Sequence, residues 1–372
     1  RIAEEQGFSG VVLIARGPEI LLNEGYGLAD DRGTPMTRET IVLTGSISKQ
    51  FTAAAVLLLE QRGLLDTGDS VGAFLDDAPP DKAAITIHEL LTHTAGFTRD
   101  HFTHDLTPMS YEEGRQAIYD LPLGYEPGTD FAYSNTGYAV LAMIVQEVAG
   151  RPFLSFVRED VFRPFGLTST GFFPDDWSGH AVATAYFNGE SQGPPSMFPG
   201  PFWGNMGNAG VMSTTADLFR WLSALRAGEV FEPERTERLF RPVAEWRPGV
   251  RYGYGWITRD STPLGPEIGH GGVGLGGNSE LAYYLDHDLT IVVLSNRVGL
   301  RFEDGRVIQA GLPAREARDQ LLRNLVSGDF STLPPQTPVT NPPSATRVTL
   351  MVLGVIVIGA IFRWRRRLRE ID

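Results

Sequence analysis

Thr44-Gly45-Ser46-Ile47-Ser48-Lys49-Gln50-Phe51-Thr52-Ala53-Ala54-Ala55-Val56-Leu57-Leu58-Leu59-Glu60-Gln61-Arg62-Gly63-Leu64 is the stretch on which the reading of this chain turns. Phe51, Ala54, Ala55, Leu58 and Leu59 recur at helical spacing, and Gly63 supplies a stop, so Ser46 to Leu64 is expected to be a helix. At its start, Ser46 and Lys49 form an S-x-x-K pattern whose spacing puts hydroxyl and amine on one face, within hydrogen-bonding reach. A serine hydroxyl is a weak nucleophile until a base removes its proton. Lysine can act as that base when its surroundings favour the neutral amine, whereas arginine does not deprotonate in proteins. The helix N-terminus adds a field that stabilises negative charge at Ser46 and an amide able to face a developing oxyanion. Taken alone, the pattern also describes a helix cap followed by a solvated lysine.

Outward from that helix the chain reads as strand, helix, strand. Val11 to Ala15 and Ile20 to Leu22, separated by Arg16-Gly17-Pro18, form an expected hairpin; Asn278 to Leu285 and Leu289 to Ser295, around Asp286-His287-Asp288, form a second. Ile87 to Thr92, Asn135 to Val148 and Ala314 to Val326 have helical periodicity. Strands near both ends with helices between them imply an α+β fold: an antiparallel sheet built from both termini, flanked by helices, with a mainly helical insertion.

Residues 329–346 are proline-rich and expected to be an extended linker closing a folded domain of residues 1–328. Val348 to Phe362 is apolar apart from Thr349, and Arg363, Arg365, Arg366, Arg367 and Arg369 follow. Residues 347–364 are therefore expected to be a transmembrane anchor, with Arg347 and Arg363 snorkelling, and 365–372 a basic cytoplasmic tail. That orientation leaves the folded domain extracytoplasmic. Beginning on Arg1, the sequence reads as a processed or trimmed chain.

Composition narrows the function classes. Across 372 residues, 42% hydrophobic and 21% charged, the chain is ordinary globular protein, which excludes disorder, collagen and coiled coil. The net charge of −13 becomes −17 once the last 28 residues are set aside, a poor match for nucleic acid. With no cysteine there is no disulfide frame, thiol nucleophile or thiolate metal site. Only Lys49 and Lys82 are lysines, so each stands where arginine was not used.

Two further motifs follow Ser46-Ile47-Ser48-Lys49 in order: Tyr133-Ser134-Asn135 and Gly269-His270-Gly271-Gly272. The order S-x-x-K, Y-x-N, H-x-G resembles the serine β-lactamase and penicillin-binding-protein superfamily, in its class C-like branch of esterases and D-amino-acid peptidases. The segments Leu90-Leu91-Thr92-His93-Thr94-Ala95-Gly96 and Asn208-Ala209-Gly210-Val211-Met212-Ser213-Thr214 carry the same likeness, which spans about residues 7 to 327. The resemblance implies a β-lactamase/transpeptidase-like fold and a serine hydrolase that forms an acyl-enzyme on an ester or peptide, without metal or organic cofactor. In it Ser46 is the nucleophile, Lys49 its base, and Tyr133 the partner whose phenolate Lys49 can stabilise. Asn135 contacts Lys49 and a substrate amide, His270 lies on the strand lining the cleft, and the amides of Ser46 and Val273 form the oxyanion hole. Gly271 and Gly272 keep that strand bare. Penicillin-recognising members commonly carry Lys-Thr-Gly where this chain has His270-Gly271-Gly272, which favours an esterase or amino-terminal peptidase over a β-lactamase or D,D-peptidase. A non-catalytic wall- or peptide-binding protein of the same fold is the remaining alternative, with intact Ser46, Lys49 and Tyr133 against it.

Other signals point to structure. Gly269 to Gly274 matches G-x-G-x-x-G but precedes a strand pattern, so no dinucleotide site is expected. His93 is expected to be a buried structural residue and the His101 to Asp105 loop to be solvated. Tyr186, Phe187, Phe198, Phe202 and Trp203 are expected to pack loops, or to wall an apolar pocket.

Overall fold

Alternation in the N-terminal strand sets up the two layers of the molecule. In the computed structural model, which describes residues 8–102, 107–193, 200–274, 276–303, 306–311 and 313–327, the eight strands of the main sheet are numbered in chain order. They are β1 (Gly10–Arg16), β2 (Glu19–Tyr26), β3 (Ala244–Arg247), β4 (Val250–Tyr252), β5 (Ile257–Thr262), β6 (Gly265–Gly274), β7 (Gly277–Tyr284) and β8 (Leu289–Ser295). Their order is β2-β1-β8-β7-β6-β5-β4-β3, antiparallel throughout, so the N-terminal hairpin joins the C-terminal one. Gly10 pairs with Ser295 and Arg16 with Leu289. On one face, Val11, Leu13 and Ala15 of β1 share a core with Leu281 of β7 and Val292 and Leu294 of β8. The intervening residues Val12, Ala282, Ile291 and Val293 point the other way.

Four helices matter for the site: α1 (Ser48–Gln61), α2 (Asn135–Ala149), α3 (Thr215–Arg226) and α4 (Pro313–Ser327). The first three lie in the insertion between β2 and β3. Helix α1 is buried from Ser48 through Glu60, with Phe51 against Phe162 and Trp221 at ring distances of 5.1 and 5.0 Å. Its spacing suggested a single apolar face; enclosure on every side instead makes it the central helix. The residues before it also tighten, because Gly45–Ile47 form a 3₁₀ turn rather than the first α-turn.

Helix α4 covers the opposite face of the sheet through Ala314, Ala317, Leu321 and Leu322. A buried ion network fastens it there: Arg318 Nη1 lies 2.8 Å from Glu280 Oε2 and 3.7 Å from Glu267 Oε1, and Arg315 Nε lies 3.0 Å from Glu280 Oε1. Arg259 completes the network on Glu267. Both glutamate side chains are 1% exposed, so their charges depend on these guanidinium groups.

The proline-rich linker, the expected anchor and the basic tail lie outside the described residues, as do His104, Asp105 and Phe198. Among the described residues no single helix is long and apolar enough to cross a membrane.

Removing Arg318 while keeping its bulk would strand two buried carboxylates. Arg318→Met is expected to lower the unfolding free energy by about 3–5 kcal/mol, read from urea denaturation. A change below about 1 kcal/mol would show that Arg315 and Arg259 suffice.

Candidate active site

A short three-stranded sheet decides what surrounds Lys49. Val42–Leu43, just before the Ser46 turn, pairs with Val211–Ser213, which in turn pairs with Gly171–Phe172. Thr44 N bonds Val211 O at 2.9 Å, Ser48 Oγ accepts from Val211 N at 3.1 Å, and Thr52 Oγ1 donates to Gly207 O at 2.6 Å. The segment 207–213 is thereby laced along α1, with the Asn208 carbonyl at Lys49.

Lys49 is completely buried. Its Nζ lies 3.2 Å from Ser46 Oγ, 2.8 Å from Asn135 Oδ1 and 3.0 Å from Asn208 O, and 4.9 Å from the centre of the Tyr133 ring. Asn135 is the first residue of α2, whose N-cap Ser134 accepts from Gly137 N at 3.1 Å. The other end of the Asn135 amide donates to Asp100 Oδ2 at 3.3 Å, so an exposed carboxylate stands at the rim.

Tyr133 presents a buried hydroxyl with no hydrogen bond of standard geometry, close to Ser46. Burial raises its phenol pKa above the ordinary value; Ser46 opposes this and the charge of Asp100 adds to it. Burial therefore favours the neutral phenol at rest. Its ring stacks on Trp246 at 5.5 Å and 19° on one side and meets His93 at 4.4 Å on another.

Behind Tyr133 stands a layer of neutral groups. His93, buried with φ +61°, accepts from Ser134 N through Nδ1 at 3.1 Å, and its ring lies 4.3 Å from that of Tyr252. Tyr252 Oη lies 3.0 Å from His270 Nε2, and His270 Nδ1 lies 2.6 Å from Gly271 O. The carbonyl accepts only, so Nδ1 carries the proton and Nε2 accepts from Tyr252. Burial, then the charge of Lys49, pushes the His270 pKa down to about 3, and burial lowers His93 well below its ordinary value. His270 is thus on the expected strand, but it is buried, uncharged, and occupied at both nitrogens.

The glycines of β6 give the remaining geometry. A Cβ on Gly272 would lie 2.0 Å from Thr44 O and 2.9 Å from Ser46 N, and one on Gly45 would lie 2.8 Å from Val273 N. The amides of Ser46 and Val273 are therefore brought together across a contact that only glycine permits. Gly45 also needs its positive φ of 55° to enter the turn. This arrangement offers a hydroxyl beside an amine, a phenol above them and two backbone donors, which is the equipment for acyl transfer.

Sequence reading identified Ser46, Lys49, Tyr133, Asn135, His270, Gly272 and Val273, and the fold gathers all of them into this region. It missed Tyr252 and Trp246, distant in sequence and without a motif, and the Asn208 carbonyl, which residue type cannot signal. His101 is held inside by Thr136 Oγ1 at 3.1 Å and Trp203 O at 3.3 Å. Phe202 lines an apolar cavity of about 100 Å³ with Phe172, Phe173 and Met206, whereas Trp203 packs on Tyr111 at 4.7 Å.

Comparison with known proteins places the chain in a family and a fold. The family described as Beta-lactamase matches residues 1–313. Penicillin-binding protein 4* of Bacillus subtilis (strain 168) is 29% identical over 341 residues, 85% of this chain and 73% of the relative. Esterase EstB of Burkholderia gladioli is 27% identical, over 79% of this chain and 86% of its own. The crystal structure of a penicillin binding protein from Bacillus halodurans superposes with a TM-score of 0.73 at 25% identity, covering 86% of this chain and 98% of that one.

Two outcomes follow from the geometry. Gly272→Ala forces a methyl into the Thr44 carbonyl, and is expected to lower ester turnover by at least ~10²-fold, the scale of losing an oxyanion donor; steady-state kinetics on the folded variant checks it. Because His270 is held neutral in the fold, its contribution to stability is complete above its unfolded pKa of about 6.5 and lost as pH falls towards about 3. His270→Gln is expected to flatten the stability profile across that window in denaturation at stepped pH.

Proposed function

The chain belongs to the Beta-lactamase family and is a hydrolase of that superfamily, and from that premise we propose that it cleaves an ester or amide through an acyl-enzyme on Ser46. The observation that carries this reading is the fully buried Lys49 amine, 3.2 Å from Ser46 Oγ and held by two further neutral oxygens. In the proposed reaction Lys49, in its unprotonated form, takes the Ser46 proton as Oγ attacks the carbonyl carbon. The oxyanion is received by the amides of Ser46 and Val273. Tyr133, a neutral phenol at rest, gives its proton to the leaving oxygen or nitrogen and recovers one from Lys49. Water then repeats the sequence on the acyl-enzyme and frees the acid.

Two features support a substrate without a carboxylate at the His270 end. His270 is neutral there, and Asp100 places negative charge at the rim through Asn135. An ester or an amino-terminal peptide bond fits this better than a penicillin or a D-Ala-D-Ala terminus, for which a cation is wanted. Penicillin recognition is the second reading, suggested by the name of the Bacillus subtilis relative.

Fluorescent phosphonate and fluorescent penicillin, applied separately, distinguish these outcomes: phosphonate labelling alone is expected. Labelling by both would favour penicillin recognition, and labelling by neither a binding protein. Ser46→Ala is expected to abolish labelling and lower ester turnover by at least ~10³-fold, and Lys49→Arg to be nearly as damaging although it keeps the charge. Labelling that persists on another serine overturns the assignment of Ser46.

We also propose that residues 347–364 anchor the domain to a membrane, its catalytic part extracytoplasmic. Support comes from the order of an extended linker, an apolar run and five arginines within seven positions. Full-length protein is expected to resist carbonate extraction, and a tag after Asp372 to be protected from external protease in right-side-out vesicles. Release by carbonate, or digestion of the tag, removes the anchor and the topology together.

A further inference from the structure

The Gly272–Val273 peptide carries the Val273 amide of the proposed oxyanion site. It lies in Gly271-Gly272-Val273-Gly274, where glycines leave the backbone dihedrals free. The β5–β6 ladder reaches only Gly269, paired with Ile257, so beyond it the strand packs on the Gly45–Ser46 turn and is paired with β7 alone. On that side Asn278, opposite Val273 in register, is 1% exposed and has both ends of its carboxamide engaged. Its Nδ2 donates to Gly272 O at 2.9 Å, and its Oδ1 accepts from Ala314 N at 2.8 Å and Arg315 N at 3.4 Å in the first turn of α4. The amide orientation is fixed by those partners, since backbone N–H groups require the oxygen and the carbonyl requires the nitrogen.

A trans peptide points its N–H and C=O in opposite directions. Holding the Gly272 carbonyl against Asn278 therefore turns the Val273 N–H away from β7, towards the Gly45–Ser46 turn that packs on it. We propose that Asn278 is a positioning residue for catalysis: braced by the N-terminus of α4, it fixes the Gly272–Val273 peptide so that the Val273 amide faces the acyl oxygen at Ser46. This rests on the reading of Ser46 and Val273 given above. It ties oxyanion geometry to the helix on the far side of the sheet, which no motif contains.

The test uses Asn278→Asp and Asn278→Ala in the full chain, with p-nitrophenyl ester and matching thionoester substrates. Asp keeps an oxygen for the two α4 amides but cannot, as a carboxylate, donate to Gly272; Ala removes both contacts. For Asn278→Asp, kcat on the ester is expected to fall about 10- to 100-fold with KM within about twofold, less than outright loss of a donor. The preference for ester over thionoester, which reports hydrogen bonding to the oxyanion, is expected to shrink about tenfold in both variants. That ratio does not depend on the fraction of protein folded, so it remains readable if a variant is unstable. Asn278→Ala is expected to have the lower thermal midpoint, through loss of the α4 cap. A wild-type ester preference that survives in both variants, or activity that follows thermal midpoint while the ratio stays constant, overturns the proposal. Failure of the wild type to take phosphonate on Ser46 instead removes the acyl-enzyme reading itself.

Discussion

A lysine amine with no exposure is the constraint from which most of this architecture follows. Burying such a group costs several kcal/mol if it is charged and unpartnered, and even a neutral amine needs hydrogen-bond partners. Here they come from separate places: Ser46 one turn earlier, Asn135 at the start of α2, and the Asn208 carbonyl in the strap before Val211. Each of these needs its own scaffold. The 3₁₀ turn presents Ser46, the Ser134 cap starts α2 at Asn135, and the Val42–Leu43 pairing lays the Asn208 segment along α1.

The groups packed behind Tyr133 are polar but uncharged. His93, Tyr252 and His270 fill the space behind Tyr133, and burial biases each of them towards its neutral form. A charged histidine there would compete with Lys49 for the same field and would set a resident cation against it. In the proposed reaction the neutral layer also strengthens the interactions of any charge that appears at Ser46, because fewer mobile dipoles and ions screen it. Its groups are aromatic, so they supply packing area together with a polar edge.

Both hairpins, the helix after Ser46 and the three motifs were legible because each is local: periodicity and turn residues declare a strand or helix within a dozen positions. The sheet built from both termini followed from the order of those elements. What stayed hidden depends on assembly. Helix α1 showed one apolar face, yet Thr52 and Lys49 on its other sides are also buried, because backbone carbonyls of the 207–213 segment satisfy them. Asn208 acts through its main chain, which every residue possesses. Tyr252 and Asn278 carry ordinary side chains at strand positions, and only the register of β4 and β7 shows that one meets His270 and the other Gly272. The ionisation of Tyr133 was not legible for a related reason: it is governed first by burial, a property of the whole fold rather than of its lysine neighbour.

The two lysines of the chain show how environment separates roles that residue type leaves equal. Lys82 is also buried, but its Nζ sits 2.5 Å from Asp81 Oδ2. It is thereby one half of an ion pair with its chain neighbour. Around the Lys49 amine stand a hydroxyl, an amide oxygen and a peptide carbonyl, none of which carries a charge. Such acceptors hold the amine in place through hydrogen bonds. Arginine would satisfy the same oxygens and never give up its proton. The use of lysine at position 49, in a chain with thirty arginines, matches the proposed role, in which the group is held rigidly and still exchanges a proton.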